Sequence, residues 1–214
     1  MEISEQKLET QELQTLDLSN EEVRVIGCLI EKELTTPDYY PLTLNSLLAA
    51  CNQSTNRKPV VSYNDVVVEQ TLKELRIKKL STIGVYPGSR VPKHKHALNL
   101  PKPEISILAT LMLRGEQTLG EIKQNSNRMN QWRDLNEVEQ TLLNLEDKEL
   151  VKKLPKVPGQ KEERVRHLLT KTNQDNELLE PHQTKNNEES VTIQNLLVRI
   201  EKLEIRLDEL EEKI

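Results

Sequence analysis

Phenylalanine is absent from the 214-residue chain, and one Trp and four Tyr bring the aromatic fraction to only 2%. A core without large rings has to be assembled from Leu, Ile and Val, and with hydrophobic residues at 35% it has to be small. Glycine is sparse too, at six residues, and no glycine-rich loop of the kind that cradles nucleotide phosphates is present. No apolar run approaches the roughly 18 to 20 residues that a membrane span requires. Met1-Glu2-Ile3-Ser4-Glu5 has neither the basic nor the apolar region of a secretory signal. These absences lead us to expect a cytoplasmic protein with no use for a membrane. The two cysteines, Cys28 and Cys51, fall in or at the end of expected helices and read as buried reduced thiols rather than a bridge.

A basic surplus is also missing, since 30 Lys and Arg stand against 35 Asp and Glu for a net charge of −5. The acids, however, crowd the two ends. Residues 1–18 hold one base and five acids and residues 171–214 six and eleven, whereas residues 19–100 hold eleven and eight. The overall charge therefore argues only weakly against a nucleic-acid surface on the middle of the chain.

What the chain does contain is a repeat. Val68-Glu69-Gln70-Thr71-Leu72 recurs letter for letter as Val138-Glu139-Gln140-Thr141-Leu142, and Leu75, Lys78 and Leu80 are matched by Leu145, Lys148 and Leu150, eight identities in thirteen positions. A match of that length within one chain points to a duplicated unit. In the first copy, Ser62 and Asp65 form a cap signal, and Val68, Leu72 and Leu75 have the 3, 4 spacing of a buried helical stripe. The helix is expected to end near Lys79. Leu80 to Val85 then reads as a strand, Tyr86-Pro87-Gly88-Ser89 as a turn, and His94 to Leu100 as a returning strand. The second copy agrees, with Asp134 and Glu137 capping a helix to about Lys148, a strand from Leu150 to Leu154, a turn from Pro155 to Gln160 and a return from Arg164 to Leu169.

Each repeated helix is preceded by two more. Ser19 and Glu22 make a capping box over a helix whose Val23, Ile26, Leu29, Ile30 and Leu34 face inward, and Thr43 caps a helix carrying Leu44, Leu47 and Leu48. In the second half, Pro103 opens a helix with Ile105, Leu108, Leu111 and Met112 inward, and Thr118 with Glu121 caps the next. Three helices followed by a hairpin is the winged-helix order. The expected fold is mainly α with small β-hairpins, an α+β chain of two tandem winged-helix domains at residues 19–100 and 101–170. Residues 1–18 read as a mobile acidic arm and 171–190 as a flexible tether.

The last stretch, 191–214, is different. Ile193, Leu196, Ile200, Leu203, Leu207, Leu210 and Ile214 alternate spacings of three and four, the seam of a coiled coil. Arg199 and Arg206 at g face Glu204 and Glu211 at the following e across a parallel pair. Self-association through this helix is the expectation, with docking elsewhere as the alternative.

Catalytic machinery is not apparent. His94 and His96 alternate along one strand and so point the same way, but no third ligand has a recognisable spacing, and no metal, cofactor or enzymatic activity is expected. Binding remains. The N-terminal halves of the repeated helices, where a winged helix reads the major groove, carry Asn64, Asp65, Glu69 and Gln70, and Asn136, Glu137, Glu139 and Gln140, with no Arg or Lys for the commonest guanine contact. Basic residues lie beside them instead. Arg57 and Lys58 precede the first repeated helix, Arg90, Lys93 and Lys95 flank the first hairpin, Arg128 and Arg133 precede the second helix, and Lys152, Lys153, Lys156, Lys161, Arg164 and Arg166 surround the second hairpin. The set suits double-stranded DNA held by its backbone, or a protein partner for which the acidic helices are the better match. Tyr39, Tyr40 and Trp132, in loops, are further contact candidates, with packing against their own domain as the alternative.

The run from Glu31 through Thr35-Thr36-Pro37-Asp38-Tyr39-Tyr40-Pro41 to Asn45, followed by Ala50-Cys51-Asn52-Gln53 and Asn56-Arg57, resembles the YceH-like family of bacterial proteins. The similarity extends from about Leu18 through Leu169. It implies tandem winged-helix domains in the cytoplasm and is compatible with a coiled-coil end. It brings no activity, ligand or catalytic residue with it.

Overall fold

The computed structural model describes residues 13–86, 89–156, 159 and 162–170. The expected tether and coiled-coil segment therefore lie outside the described residues, as does the chain before Leu13. Two successions of three helices and a hairpin follow one another. The first comprises α1 (Asn20–Thr35), α2 (Leu44–Cys51), α3 (Asp65–Ile77) and the strands β1 (Ser81–Gly84) and β2 (Lys93–His96). The second comprises α4 (Lys102–Arg114), α5 (Leu119–Ser126), α6 (Leu135–Asp147), β3 (Val151–Leu154) and β4 (Arg164–His167).

The helix starts are set by side-chain caps. Ser19 Oγ accepts from the Glu22 N–H at 3.2 Å while the Glu22 carboxylate accepts from the Ser19 N–H at 2.8 Å, and Thr118 and Glu121 make the same reciprocal pair. The cap of α3 is Asn64, whose Oδ1 accepts from the Val67 N–H at 2.9 Å, so this helix begins two residues later than Ser62 would place it. Asp134 caps α6 as its sequence predicts, accepting from the Glu137 N–H at 2.9 Å.

The hairpins are antiparallel, with Ser81 opposite His96 and Val151 opposite His167. Each gains one rung from the residue before an N-cap: Leu42 and His94 exchange both backbone hydrogen bonds, as do Gln117 and Val165. The return strand of the first hairpin runs Lys93–His96 rather than to Leu100, and one further in-register bond, from the Ala97 N–H to the Leu80 carbonyl at 2.9 Å, closes its ladder.

The duplication is visible residue by residue. From Asp65 to Leu80 and from Leu135 to Leu150 the order of buried, half-buried and exposed positions is the same throughout. Both helices end on a left-handed residue, Lys79 at φ 57° and Glu149 at φ 53°, after which Leu80 and Leu150 donate back to Leu75 and Leu145 at 2.8 and 2.9 Å. Both are also tied down by an ion pair to a buried carboxylate. Lys78 Nζ lies 2.7 Å from the Glu22 carboxylate of α1, and Lys148 Nζ lies 2.6 Å from the Glu104 carboxylate of α4.

The expected separation into two cores is not what the packing shows. A single apolar cluster runs through both halves, and α1 packs on α4 more extensively than on its own α2 or α3. Every residue from Glu22 to Ile30 and from Glu104 to Leu113 is buried, so these two helices are covered all round where an inward stripe is expected. Each is shielded on one side by its own repeat and on the other by its counterpart. Gly27 permits the approach, since a β-carbon there would stand 3.0 Å from the Leu113 side chain. The mobile-arm expectation also fails for its last six residues. Leu13 and Leu18 are fully buried, Leu16 packs beside them, and the Leu18 N–H donates to the Leu169 carbonyl at 2.9 Å. Three leucines at short spacing supply enough apolar area to hold that segment, at roughly 1.5–3 kcal/mol for each one buried.

Candidate nucleic-acid interface

The second hairpin gathers the densest set of basic residues. Lys152 stands directly across from Arg166, Lys153 across from Val165 and Leu154 across from Arg164. Lys152 and Lys156 are exposed. Lys153 is half-buried with Glu146 at 3.8 Å, and Arg164 is engaged, donating to the Glu116 carbonyl at 2.8 Å and lying 3.3 Å from Glu121. Lys161 lies outside the described residues. In front of α6, Arg128 is exposed, and the exposed Arg133 leans on Glu137 at 3.3 Å.

Between α5, α6 and this hairpin runs a groove of about 370 Å³. Its apolar floor is Leu119, Leu135, Leu142 and Val165, and its rim alternates Lys153 and Lys156 with Glu139, Glu162 and Glu163. A phosphate backbone would meet carboxylates here as well as lysines.

The first half differs. Arg57 does not belong to the candidate contacts: its side chain is wholly buried and donates to both Glu31 carboxylate oxygens, at 3.2 and 2.5 Å, and to the Gln53 side chain and the Ala50 carbonyl. It closes the turn before α3 from within. Lys58 and Arg90 are exposed, and Lys93 and Lys95 are half-exposed on β2 opposite Gly84 and Thr82. Much of the rest of this hairpin is apolar and open, with Ile83 48%, Val85 73% and Val91 51% exposed. The repeated helices present Asp65 and Glu69, and Glu139, as exposed acids.

The remaining candidates separate by burial. Trp132 is buried and donates its indole N–H to Ser126 Oγ at 2.7 Å, and the Tyr40 hydroxyl accepts from the His96 N–H at 2.8 Å. Tyr39 is open to solvent. His96 pairs with Glu33 while the His94 ring is buried, so the two histidines do not share surroundings in which to hold one ion. Cys28 and Cys51 are free thiols, both buried. Among the described residues no helix is long and apolar enough to cross a membrane.

Sequence reasoning missed the paired lysines 78 and 148 as structural anchors, although their identity in the repeat was the available signal. It also missed Glu31 as the partner of Arg57, for which the separation of 26 residues left none.

Residues 18–160 match the family model described as a protein of unknown function, DUF480. The UPF0502 protein of Geotalea uraniireducens is 48% identical over 159 residues, covering 72% of this chain and 72% of that protein. The UPF0502 protein of Shewanella halifaxensis is 41% identical over 211 residues, covering 93% and 97%. With the family match running from residue 18 through both repeated helices to residue 160, and relatives this similar covered over more than two thirds of their length, the chain belongs to the DUF480 family, the UPF0502 proteins of bacteria.

Proposed function

We propose that the protein is a non-enzymatic, cytoplasmic, DNA-binding regulator of transcription, built of two winged-helix units in tandem, which grips the duplex backbone through the wing of the second unit. The observation that carries this reading is the density of basic side chains on the second hairpin, where Lys152 and Lys156 are exposed and Lys152 stands across from Arg166. The order of three helices and a hairpin, with an extra rung contributed from before the second helix, supports the winged-helix assignment. With acids on the N-terminal halves of α3 and α6, binding is expected to be sensitive to salt and nearly indifferent to sequence.

The seam from Ile193 to Ile214 is proposed to pair two copies, doubling the wings and raising avidity. Titrating a random duplex against salt tests both parts. The log–log slope should become shallower by roughly 0.9 for each phosphate no longer neutralised, as in a Lys152→Ala, Lys156→Ala variant, and deletion of 191–214 should give monomers in sedimentation and weaker binding. An absence of binding at low salt by the folded chain would end the DNA reading, and an unchanged mass after the deletion would end the pairing.

One observation favours a second reading, a protein-interaction adaptor. The groove beside the second hairpin has an apolar floor and three carboxylates on its rim, which suits a peptide with apolar and basic side chains better than a duplex.

A further inference from the structure

On another face, where the two repeats meet, lies a polar cleft of about 170 Å³. Its walls come from the last turn of α1, the turn after α2, the end of α4 and the turn after α5, so that each half supplies part of it. Lys32, Gln53, Thr55, Asn56, Arg114 and Arg128 line it.

The lining is rich in donors that have no use within the fold. Arg114 donates from Nη2 to Asn56 Oδ1 at 2.6 Å, which leaves its other guanidinium nitrogens and the Asn56 amide N–H groups uncommitted among the described residues. Gln53 accepts from Arg57 through Oε1, and its own amide N–H groups have no acceptor there. Arg128 and Thr55 have no partner among the described residues. The sole carboxylate on the lining is Glu31, and Arg57 already holds both of its oxygens from behind. Lys32 shares that carboxylate at 3.8 Å, and Arg114 and Arg128 face the cleft with no carboxylate paired to them among the described residues. Burial lowers the Arg114 pKa from the usual arginine value, while Glu31 pulls it up by more than Arg57 pushes it down.

We propose that this cleft binds a small polyanion, a phosphoryl compound or a polycarboxylate, clamped between Arg114 of the second repeat and the Gln53–Asn56 turn of the first, with Arg128 and Lys32 at its mouth. Planar guanidinium groups grip both chemistries through paired N–H donors. Because the ligand touches both repeats across their shared core, it is an effector of their junction rather than an extension of the hairpin surface. The proposal does not depend on the DNA reading.

The test uses the full chain in low-chloride buffer, with pyrophosphate and citrate titrated separately by calorimetry. One saturable site is expected, weakened about tenfold or more by Arg114→Gln and by Arg128→Gln and left unchanged by Lys152→Ala. Tighter binding of pyrophosphate assigns the phosphoryl class, and tighter binding of citrate the polycarboxylate class. Arg114 is half-buried and its replacement risks the fold, so Arg128→Gln, a change on the surface, decides alone if need be. No saturable site for either probe, or a site undiminished in Arg128→Gln, overturns the proposal. So does displacement of the bound probe by duplex DNA, which would make the cleft part of a backbone-contact surface.

Discussion

The two repeats share a scaffold and differ most in the surface of their hairpins. With β1 laid on β3, Thr82 and Ile83 of the first hairpin fall on Lys152 and Lys153 of the second, while the strands keep the same length and pairing. The threonine caps of α2 and α5, Thr43 and Thr118, the left-handed residues, the lysine anchors and the extra rung recur in both halves. What survives duplication is what the packing needs. What has changed is an open apolar hairpin in one half and a crowded basic one in the other.

The anchors offer the sharpest comparison because they are alike in place and unlike in surroundings. Glu104 accepts only from Lys148 among the described residues, whereas Glu22 also accepts from the Ser19 N–H. Lys148→Met should therefore cost about 3–5 kcal/mol, the loss typical of stranding a buried charge, and Lys78→Met should cost less. Urea unfolding at neutral pH measures both. Adding Glu104→Gln to Lys148→Met should restore most of the loss. If both single variants lose the same amount, the two anchors are equivalent and the extra capping bond of Glu22 is irrelevant.

Histidine separates the halves next. His167 of β4 is held to a pKa of about 4, first by burial and then by the Arg166 charge, and its Nδ1 has no hydrogen-bond partner among the described residues. The unfolded chain takes up this proton near pH 6.5 and the folded chain only near pH 4, so the neutral ring's contribution is complete above pH 6.5 and is lost as pH falls between those values. The loss amounts to about 3 kcal/mol from this group. His94 of β2 is lowered in the same direction, by burial and then by Arg76 against Glu69, and adds a smaller part. His167→Gln should flatten most of the stability slope between pH 6.5 and 4, and His94→Gln less of it. A slope unchanged by His167→Gln would show that the second hairpin is not the acid-sensitive one.

Local pattern carried the helices and hairpins, since a capping box, a 3, 4 stripe and a turn signal are each written within a few consecutive residues. Ser19 with Glu22 and Thr118 with Glu121 form the boxes their spacing predicts. Contacts between distant segments are not legible in the same way. The merged core is half-visible: Val23, Val25, Ile26, Cys28, Leu29 and Ile30 fill more of α1 than one face requires, the mark of a helix buried all round. Arg57 misleads because a basic residue in a polar turn looks the same whether it meets solvent or a carboxylate on another helix. The cleft is invisible for a related reason, as Arg114 and Asn56 are 58 positions apart.

The finest comparison concerns backbone alone. Lys79 and Glu149 sit at φ 57° and 53°, and both side chains are exposed to solvent, so a glycine at either removes only the crowding of a β-carbon. That crowding costs about 1–2 kcal/mol for a left-handed residue, and glycine's greater freedom in the unfolded chain returns about 0.4–1 kcal/mol of it. Lys79→Gly and Glu149→Gly should each stabilise by about 0.5–1 kcal/mol, seen as a rise in Tm of roughly 2–4 °C. Equal gains are expected, because the bonds that close the two helices, Leu80 to Leu75 at 2.8 Å and Leu150 to Leu145 at 2.9 Å, are nearly the same length. A gain at one site with a loss at the other would mean that the matching backbones conceal different strain, and that the repeats have diverged in their scaffold as well as on their surface.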